Sequence, residues 1–352
     1  MNTLAPYGWT TKHQQDWDAL QLDGLSPARV VADFGTSLKL ATPDIITAEL
    51  SGKLAHYSTR DDTPKVGDWV AVRVLDNSSV VESVILRSNE IARKVTGKRT
   101  LKQIFAANVD IAFVLVALDN DFSVERLQRF LFQLSVNAIE AVIVLNKADK
   151  TDDLQSFTSQ LESFDVPIVV TTATDDSNAD EIIDFIKPGK TAILLGSSGV
   201  GKSTLTNKLL GRDAQATNEV RESDSTGKHT TVHRELFILP NGGILIDTPG
   251  IRELQLWGTE DDLEINFDDI IQLTTKCKYT NCRHEDEKGC AVHKALANGQ
   301  LDKQHYARYL KMKSEVTSLN IKNTERTRQQ NGRVRKDDSF KQYRYQDPRS
   351  TD

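Results

Sequence analysis

The sequence lacks several features that mark particular classes of protein. No apolar run approaches the roughly 20 residues that a membrane-spanning helix needs, so we expect no membrane partner. The first residues, MNTLAPYGWTTKHQQDWDAL, show no basic start followed by an apolar stretch; we therefore expect no export signal and a cytoplasmic location. Cysteine is scarce, with 3 residues in 352, which argues against a disulfide framework. We also find no internal repeat.

The net charge of -6 speaks against a polyanionic partner, but the charge is unevenly distributed. Residues 301–352 contain 13 Lys and Arg against 7 Asp and Glu. A second basic cluster runs from Arg87 to Lys102, with Glu90 as its only acidic residue, and it overlaps a basic connector at residues 93–103. This asymmetry indicates either a polyanion such as RNA or a solvated face with a flexible tail, and charge alone does not decide between them.

The length of the chain indicates two or three domains. Residues 28–97 contain five short segments that alternate apolar and polar side chains, which predicts a small OB-type β-barrel. In residues 98–256 strands alternate with helices, which predicts a central α/β domain with a mainly parallel sheet. Residues 257–320 predict a C-terminal α-helical domain that holds the cysteines. The flanking segments are an N-terminal extension, 1–27, and a basic, flexible tail, 321–352.

The clearest motif is GSSGVGKS, which fits the phosphate-loop pattern G-x-x-x-x-G-K-[ST] between an apolar strand, 191–195, and a helical segment. Its glycines let backbone N–H groups curl around phosphates, and the helix N-terminus favours an anion. Lys202 is expected to reach the outer phosphates and Ser203 to bind Mg²⁺. The expected phosphate contacts are Gly196, Ser197, Ser198, Gly199, Val200, Gly201, Lys202, Ser203 and Thr204.

A second motif, NKAD, directly follows the apolar strand 140–145 and comprises Asn146, Lys147, Ala148 and Asp149. The Asp149 carboxylate can accept hydrogen bonds from N1–H and the 2-amino group of guanine, which adenine cannot offer. The stem of Lys147 can pack over the base, and Asn146 can bridge to neighbouring loops. These residues favour GTP over ATP. Further guanine contacts are expected from the backbone at Thr172 and Ala173.

A third motif, DTPG, fits DxxG and begins at Asp247, at the end of an apolar strand. Asp247 is expected to hold Mg²⁺ through water, and the N–H of Gly250 to touch the terminal phosphate. The sequence GKHTT at 227–231 lies between this motif and the phosphate loop. There Thr230 or Thr231 would complete the magnesium shell and sense the terminal phosphate, as nucleotide-dependent switch loops do.

No glutamine follows DTPG to orient the attacking water, since Ile251 takes that position. His229, beside the switch threonines, is the candidate for this role. The alternative is a histidine on a mobile loop with no chemical function. In either case we expect slow turnover that rises when a partner orders the loop.

All the cysteines fall in one pattern, Cys277-x4-Cys282-x-His284-x5-Cys290. Three thiolates and one imidazole form a closed tetrahedral set, which predicts one structural Zn²⁺ with no open position. Zinc binding would supply folding energy to a segment with few large apolar residues. The alternative is a group of unconnected buried thiols. His293 is a poorer ligand because the set is complete without it.

The motifs occur in a rotated order, because NKAD at 146–149 precedes the phosphate loop at 196–203 and DTPG at 247–250 comes last. A fold can be kept with its termini moved, because domain termini often lie close together at the surface. With this order, GSSGVGKST, GKHTT, DTPG and the cysteine cluster, residues 28–315 resemble the RsgA family of circularly permuted GTPases, also called YjeQ or EngC. That family usually has a serine in its base-contacting loop, where this chain has Thr172 and Ala173.

The resemblance implies an OB barrel, a permuted GTPase domain and a zinc domain. It also implies a late-stage maturation factor that binds the rRNA of the small (30S) ribosomal subunit, is stimulated by that subunit and couples GTP hydrolysis to release. Basic residues downstream of the cysteines are expected to face rRNA phosphates. These residues are Lys303, Arg308, Lys311 and Lys313.

Three alternatives remain. A permuted GTPase acting on the large subunit is disfavoured by the barrel and the cysteine set. An RNA-binding assembly module that uses GTP only as a structural ligand gains support from the missing glutamine. A P-loop ATPase is disfavoured by Asp149. Nothing in the sequence indicates an obligate dimer, so we expect a monomer.

Overall fold

The structure is a computed structural model that describes residues 3–57, 63–85, 87–95, 101–119, 122–172, 177–211, 234–247, 263–264, 266–285 and 287–318. The chain divides into two compact units, Met1–Gln255 and Leu256–Asp352. In the part of the chain so described, no helix combines the length and apolar character that spanning a membrane requires.

The described strands are β1 (Ser26–Asp33), β2 (Leu38–Ala41), β3 (Ile45–Leu50), β4 (Trp69–Val74), β5 (Ser79–Val84), β6 (Glu90–Val95), β7 (Leu101–Ala107), β8 (Ile111–Ala117), β9 (Glu140–Asn146), β10 (Ile168–Val170), β11 (Thr191–Gly196), β12 (Arg234–Ile238) and β13 (Ile244–Asp247). The described α-helices are α1 (Thr11–Ala19), α2 (Gly52–Tyr57), α3 (Val124–Val136), α4 (Leu154–Thr158), α5 (Ser177–Phe185), α6 (Lys202–Leu210), α7 (Asp268–Thr274), α8 (Ala291–Ala297) and α9 (303–318).

Strands β1–β5 close into a barrel. β1 pairs antiparallel with β2 on one side and with β4 on the other, while β3 pairs parallel with β5. The alternating sequence places apolar side chains in the interior, where Val30, Leu40, Val72 and Val81 are fully buried. The OB-type barrel predicted from the five short segments is confirmed.

The α/β part is a sheet in the order β10-β9-β8-β11-β13-β12. The first five strands run parallel, and β12 pairs antiparallel with β13. β8 and residues 192–195 of β11 are apolar, as expected for strands with helices on both faces of the sheet. Leu127 of α3 belongs to one apolar cluster, and Ile182 of α5 and Leu209 of α6 belong to the other. The predicted central α/β domain is confirmed.

One pairing joins the α/β sheet to the barrel. The first residues of β12, Arg234 and Glu235, pair antiparallel with Asp33 and Ala32 of β1. The strands of the barrel and of the α/β part therefore form one continuous sheet. The sequence did not predict this contact, because the two strands lie far apart in the chain.

The predicted basic connector contains a hairpin, because β6 and β7 pair antiparallel; residues 96–100 between them lie outside the described residues. Arg87, which belongs to the basic cluster in the sequence, is only 14% exposed and is not a free cation. It donates to both carboxylate oxygens of the buried Asp68, at 2.7 and 2.8 Å, and to Glu90 at 3.4 Å. Arg87 therefore stabilises the barrel rather than adding to an anion-binding surface.

The N-terminal extension contains regular structure among its described residues. A 3₁₀ turn, Ala5–Tyr7, precedes α1, and the indole of Trp9 packs edge-on against Trp69 of the barrel with ring centroids 4.7 Å apart. Helical or strand periodicity in the sequence could not predict these aromatic contacts, because each is made by a single residue.

Arg29 of β1 is the largest fully buried side chain in the described residues. Its guanidinium donates to the carbonyl oxygens of Tyr7, Gly67 and Asn108 and, at 2.9 Å, to Oγ1 of Thr191 on β11. Burial lowers the pKa of Arg29 to about 10. Because buried charge is stable only when it is hydrogen-bonded, Arg29 fixes the N-terminal segment, the barrel and the α/β sheet around one group.

The second unit is helical among its described residues, as predicted. Val292 of α8 and Met312 and Val316 of α9 are buried, and Ile270 of α7 joins them. The buried residues of α9, which are Tyr306, Tyr309, Met312 and Val316, recur every three or four residues and so share one helix face. Between α7 and α8 lies the segment that carries the cysteines.

Candidate nucleotide and metal sites

The phosphate loop lies between β11 and α6, as the motif predicts. Gly196, Gly199 and Gly201 all have positive φ, and a Cβ on Gly196 would lie 2.5 Å from the carbonyl oxygen of Leu115. The loop therefore requires glycine where its backbone turns. α6 begins at Lys202, whose Nζ donates to the carbonyl oxygen of Gly196 at 2.8 Å. This strand–loop–helix is the arrangement that binds phosphates.

The remaining predicted phosphate contacts line the same turn. Ser198 is exposed, Ser197 is half-buried and Val200 is buried. Ser203 and Thr204, in the first turn of α6, are half-buried. The loop thus has an open face, and its buried residue anchors it to the sheet.

Asn146, the last residue of β9, connects three loops. Its Nδ2 donates to the carbonyl oxygen of Val200 at 2.7 Å, and its Oδ1 accepts from Oγ1 of Thr171 at 2.9 Å. Asn146 and Thr171 are both buried. A Cβ on Gly201 would lie 2.2 Å from Nδ2 of Asn146, so only glycine permits this approach. The predicted bridge from Asn146 therefore fixes the phosphate loop, NKAD and the end of β10 to one another.

Lys147 has a left-handed backbone with φ of 62°, which is rare for a residue other than glycine. Hydrogen bonds from Leu118 N–H to the Asn146 carbonyl and from Ala148 N–H to the Thr171 carbonyl hold this conformation on both sides. Its Nζ lies 2.9 Å from Oδ2 of Asp119, which follows β8.

Asp149 lies in the 3₁₀ turn Ala148–Lys150 at the carboxyl edge of the sheet. Its side chain is 38% exposed and 3.6 Å from Nζ of Lys150. The carboxylate is thus accessible to a base that enters from solvent. Thr172 follows β10 and is half-buried, and Ala173 lies outside the described residues.

Asp247 ends β13 and is 4% exposed. Burial raises its pKa to about 6; Lys202 acts in the opposite direction, and Glu235 on the paired strand raises it further. A buried carboxylate in this position gains from a nearby cation, and oxygen ligands suit Mg²⁺. Asp247 therefore has the chemistry of a magnesium-site residue, and its role there together with Ser203 stays a prediction.

Several predicted switch residues cannot be placed. His229, Thr230, Thr231 and Gly250 lie outside the described residues, so their roles stay predictions.

The four predicted zinc ligands come together, with all their ligand atoms within 4.8 Å of one another. Nδ1 of His284 lies 3.5 Å from Sγ of Cys277 and 3.6 Å from Sγ of Cys290, and the two sulfurs are 4.0 Å apart. Zinc bound at about 2.3 Å from sulfur and 2.1 Å from nitrogen has ligand–ligand separations of about 3.5–3.8 Å in a tetrahedron. The residues present therefore fit Zn²⁺.

The surroundings of the cluster act on its ligands in opposite directions: burial raises the pKa of Cys282 to about 11, which a bound cation would offset, whereas the pKa of His284 is lowered. Burial and the charge of Lys313 lower the pKa of His284, which keeps the imidazole neutral. The N–H of Ala291 donates to Sγ of Cys277 at 3.4 Å. His293, the poorer ligand in the sequence pattern, is not among the four; its backbone N–H donates to Sγ of Cys290 at 3.3 Å.

Sequence reasoning missed three supporting residues. Thr171 and Asp119 contact motif residues, and each stands just after a buried strand, which is the signal that could have identified it. Glu287 accepts hydrogen bonds from Arg283 N–H at 2.8 Å and Glu285 N–H at 2.9 Å and so shapes the turn around His284. No signal in the sequence separates Glu287 from the acidic residues beside it.

Comparison with known proteins places this architecture in a family. The family model described as RsgA GTPase matches residues 84–257. A Leptospira interrogans protein named small ribosomal subunit biogenesis GTPase RsgA is 38% identical over 330 residues, covering 91% of this chain and 90% of that protein.

Two solved structures share the fold. The crystal structure of YjeQ from Thermotoga maritima superposes with a TM-score of 0.61 at 26% identity, covering 83% of this chain and 99% of that chain. YloQ, described as a circularly permuted GTPase, superposes with a TM-score of 0.59 at 22% identity, covering 85% and 97%. The similarity to the Leptospira protein extends over nearly the full length of both chains, and with the permuted motif order it shows that this chain belongs to the RsgA family of GTPases.

Proposed function

We propose that this chain is a GTP phosphohydrolase that acts as a late-stage maturation factor of the small (30S) ribosomal subunit. The observation that carries the nucleotide part is the bridge from Asn146 to Val200 and Thr171, because it joins the base-recognition and phosphate loops despite their rotated order. Relatives that are 35–40% identical over most of the chain are named for small ribosomal subunit biogenesis, which supports the ribosomal part.

GTP binding divides between the two loops. Asp149 recognises the N1–H and 2-amino group of guanine, and Lys147 covers the base, with the backbone at Thr172 and Ala173 on the carbonyl side. The backbone of residues 196–204 holds the phosphates. The exposure of the Asp149 carboxylate and the positive φ angles of the loop glycines support this division.

Hydrolysis requires charge stabilisation and a positioned water. Ser203 and Asp247, with Thr230 and Thr231, would hold Mg²⁺, which supplies positive charge to the phosphate oxygens. Lys202 adds a second positive charge, and the N–H of Gly250 contacts the terminal phosphate. His229 positions the water that the missing glutamine would otherwise orient. Turnover is slow until a partner orders these loops.

One Zn²⁺ is structural and held by Cys277, Cys282, His284 and Cys290. Four protein ligands leave no position for substrate, which supports a folding role. Metal analysis of the purified protein tests this: we expect one zinc per chain, removable by a chelator with loss of helical signal from the second unit.

The partner is the small subunit with its rRNA. Lys303, Lys311 and Lys313 on α9 are exposed and available to phosphates. Arg308 is only half-exposed and its Nε is buried, so it contributes less than we predicted from the sequence. Hydrolysis is coupled to release, the protein acts as a monomer, and a ribosomal role supports a cytoplasmic location.

Nucleotide selectivity tests the site. We expect wild-type protein to bind GTP and GDP and to reject ATP. Asp149→Asn should lose guanine nucleotides but gain xanthosine nucleotides, because xanthine carries a carbonyl where guanine has an amino group and an asparagine amide can donate to it. Equal binding of ATP and GTP by the wild type would favour the ATPase alternative.

Co-sedimentation tests the partner. Protein loaded with a non-hydrolysable GTP analogue should pellet with small subunits and not with large ones, and should be released when GDP replaces the analogue. Binding to both subunits, or equal binding in the GTP-analogue and GDP states, would favour the alternative of an RNA-binding module that uses GTP as a structural ligand.

A further inference from the structure

We propose that Asp119 is a positioning residue for guanine-nucleotide binding, which acts by holding the ammonium of Lys147 before the base arrives. This inference rests on the proposed function, since it assigns Lys147 to the guanine base. It extends the site to a residue that belongs to none of the nucleotide motifs.

The sheet brings the two residues together. β8 and β9 are parallel neighbours with Ala117 opposite Asn146, so the residues that follow them emerge at the same edge. Leu118 N–H donates to the carbonyl oxygen of Asn146 at 2.9 Å, which fixes the two chain exits to each other. One residue further along each exit, Asp119 Oδ2 and Lys147 Nζ are 2.9 Å apart.

Lys147 is then fixed at both ends. Its left-handed backbone is held on one side by the Asn146 carbonyl, which accepts from Leu118 N–H, and on the other by Ala148 N–H, which donates to the Thr171 carbonyl. A lysine side chain nevertheless has many rotamers, and an unrestrained stem would lose that freedom when it packs on a base. The ion pair with Asp119 restricts the stem beforehand, so less freedom is lost on binding.

The exposure of the pair indicates that it contributes more to binding than to folding. The side chains of Lys147 and Asp119 are 30% and 35% exposed, and ion pairs that accessible to water add little to stability. The barrel offers a matched pair for comparison, Arg73 with Glu82, at 3.2 Å and with side chains 45% and 32% exposed. Glu82 lies in β5 of the barrel and belongs to none of the nucleotide loops.

Because Lys147 contacts the base and not the terminal phosphate, GTP and GDP affinities should change together. Ordering one flexible side chain corresponds to a factor of about 3 to 10 in affinity. We therefore expect Asp119→Ala to weaken both nucleotides about 3- to 10-fold and to raise KM for GTP by the same factor. The kcat of Asp119→Ala at saturating GTP should stay at the wild-type value. Asp119→Asn keeps an oxygen that can accept from the ammonium, so its nucleotide affinity should lie between those of the wild type and Asp119→Ala.

The test is a double-mutant cycle in the full chain, with fluorescent GDP as the probe and thermal unfolding as the folding check. Asp119→Ala, Lys147→Ala, the double variant and Glu82→Ala are compared. We expect Asp119→Ala to have no further effect once Lys147 is alanine, and Glu82→Ala to bind like wild type. Equal losses from Asp119→Ala in both backgrounds, or wild-type affinity in Asp119→Ala, would overturn the proposal. Failure of wild-type protein to bind GDP would instead refute the proposed function.

Discussion

Thr171→Val isolates the hydrogen bond that joins the end of β10 to NKAD. Valine has nearly the shape of threonine and suits a strand end, and the backbone bonds of residue 171 to Leu145 and Ala148 remain. What is lost is the bond from Thr171 Oγ1 to Asn146 Oδ1, at 2.9 Å between two buried groups. The amide oxygen of Asn146 is then buried without that donor.

An unsatisfied buried acceptor costs about 1–3 kcal/mol. For a unit of this size each kcal/mol lowers Tm by about 2–4 °C, so we expect a decrease of about 2–12 °C. GDP affinity should also fall, because Asn146 orients both the base loop and the phosphate loop. Calorimetry without nucleotide and titration with fluorescent GDP measure the two effects separately.

Thr158→Val is the matched control, because the hydroxyl of the half-buried Thr158 donates only to backbone carbonyl oxygens of its own helix α4, those of Leu154 and Gln155. It should change neither Tm nor GDP affinity. If Thr171→Val also left both values unchanged, the buried bridge would contribute nothing measurable and the reasoning from its geometry would be refuted.

Three further predictions concern other parts of the chain. Thr206 of α6 is fully buried and its hydroxyl has no hydrogen-bond partner within the described residues, so Thr206→Val should raise the unfolding free energy by about 1 kcal/mol in denaturant titrations. Cys282→Ser should reduce bound zinc well below one per chain in metal analysis and lower the melting temperature of the second unit, whereas His293→Gln should keep its zinc because that side chain is not among the four ligands. Burial and the charge of Arg29 hold the pKa of His13 below 6.5 in the folded protein. The stability that neutral His13 contributes is therefore present above pH 6.5 and is lost as the pH falls through the folded pKa. His13→Gln should flatten that part of the curve of unfolding free energy against pH.

The fold could be predicted from the sequence wherever a hydrophobic pattern extended over several consecutive residues. The alternation in β1–β5 predicted the barrel, and the buried runs of β8, β9 and β11 predicted the parallel sheet. Contacts between distant segments did not follow. The pairing of β12 with β1 and the burial of Arg29 depend on which distant segments contact one another. The local sequence pattern does not determine those contacts.

The site was predictable for a similar reason and to a similar extent. The chemistry of these sites requires fixed spacing, so each is encoded by a short motif. The structure joins NKAD to the phosphate loop, and it separately groups the three cysteines with His284. The supporting groups were not predictable. Asp119 and Glu287 are ordinary acidic residues in sequence, and nothing in the sequence separates Arg87, with its buried partner Asp68, from the other cations of the basic cluster.

The central claim is that a guanine-nucleotide site in a permuted fold responds to the small ribosomal subunit. It is tested most directly by the rate of GTP hydrolysis for the purified protein alone, with small subunits and with large subunits, using Asp149→Asn as the control. We predict slow hydrolysis by the protein alone, strong stimulation by small subunits only, and loss of that stimulation in the control. Stimulation by large subunits, or no stimulation by either, would contradict the claim.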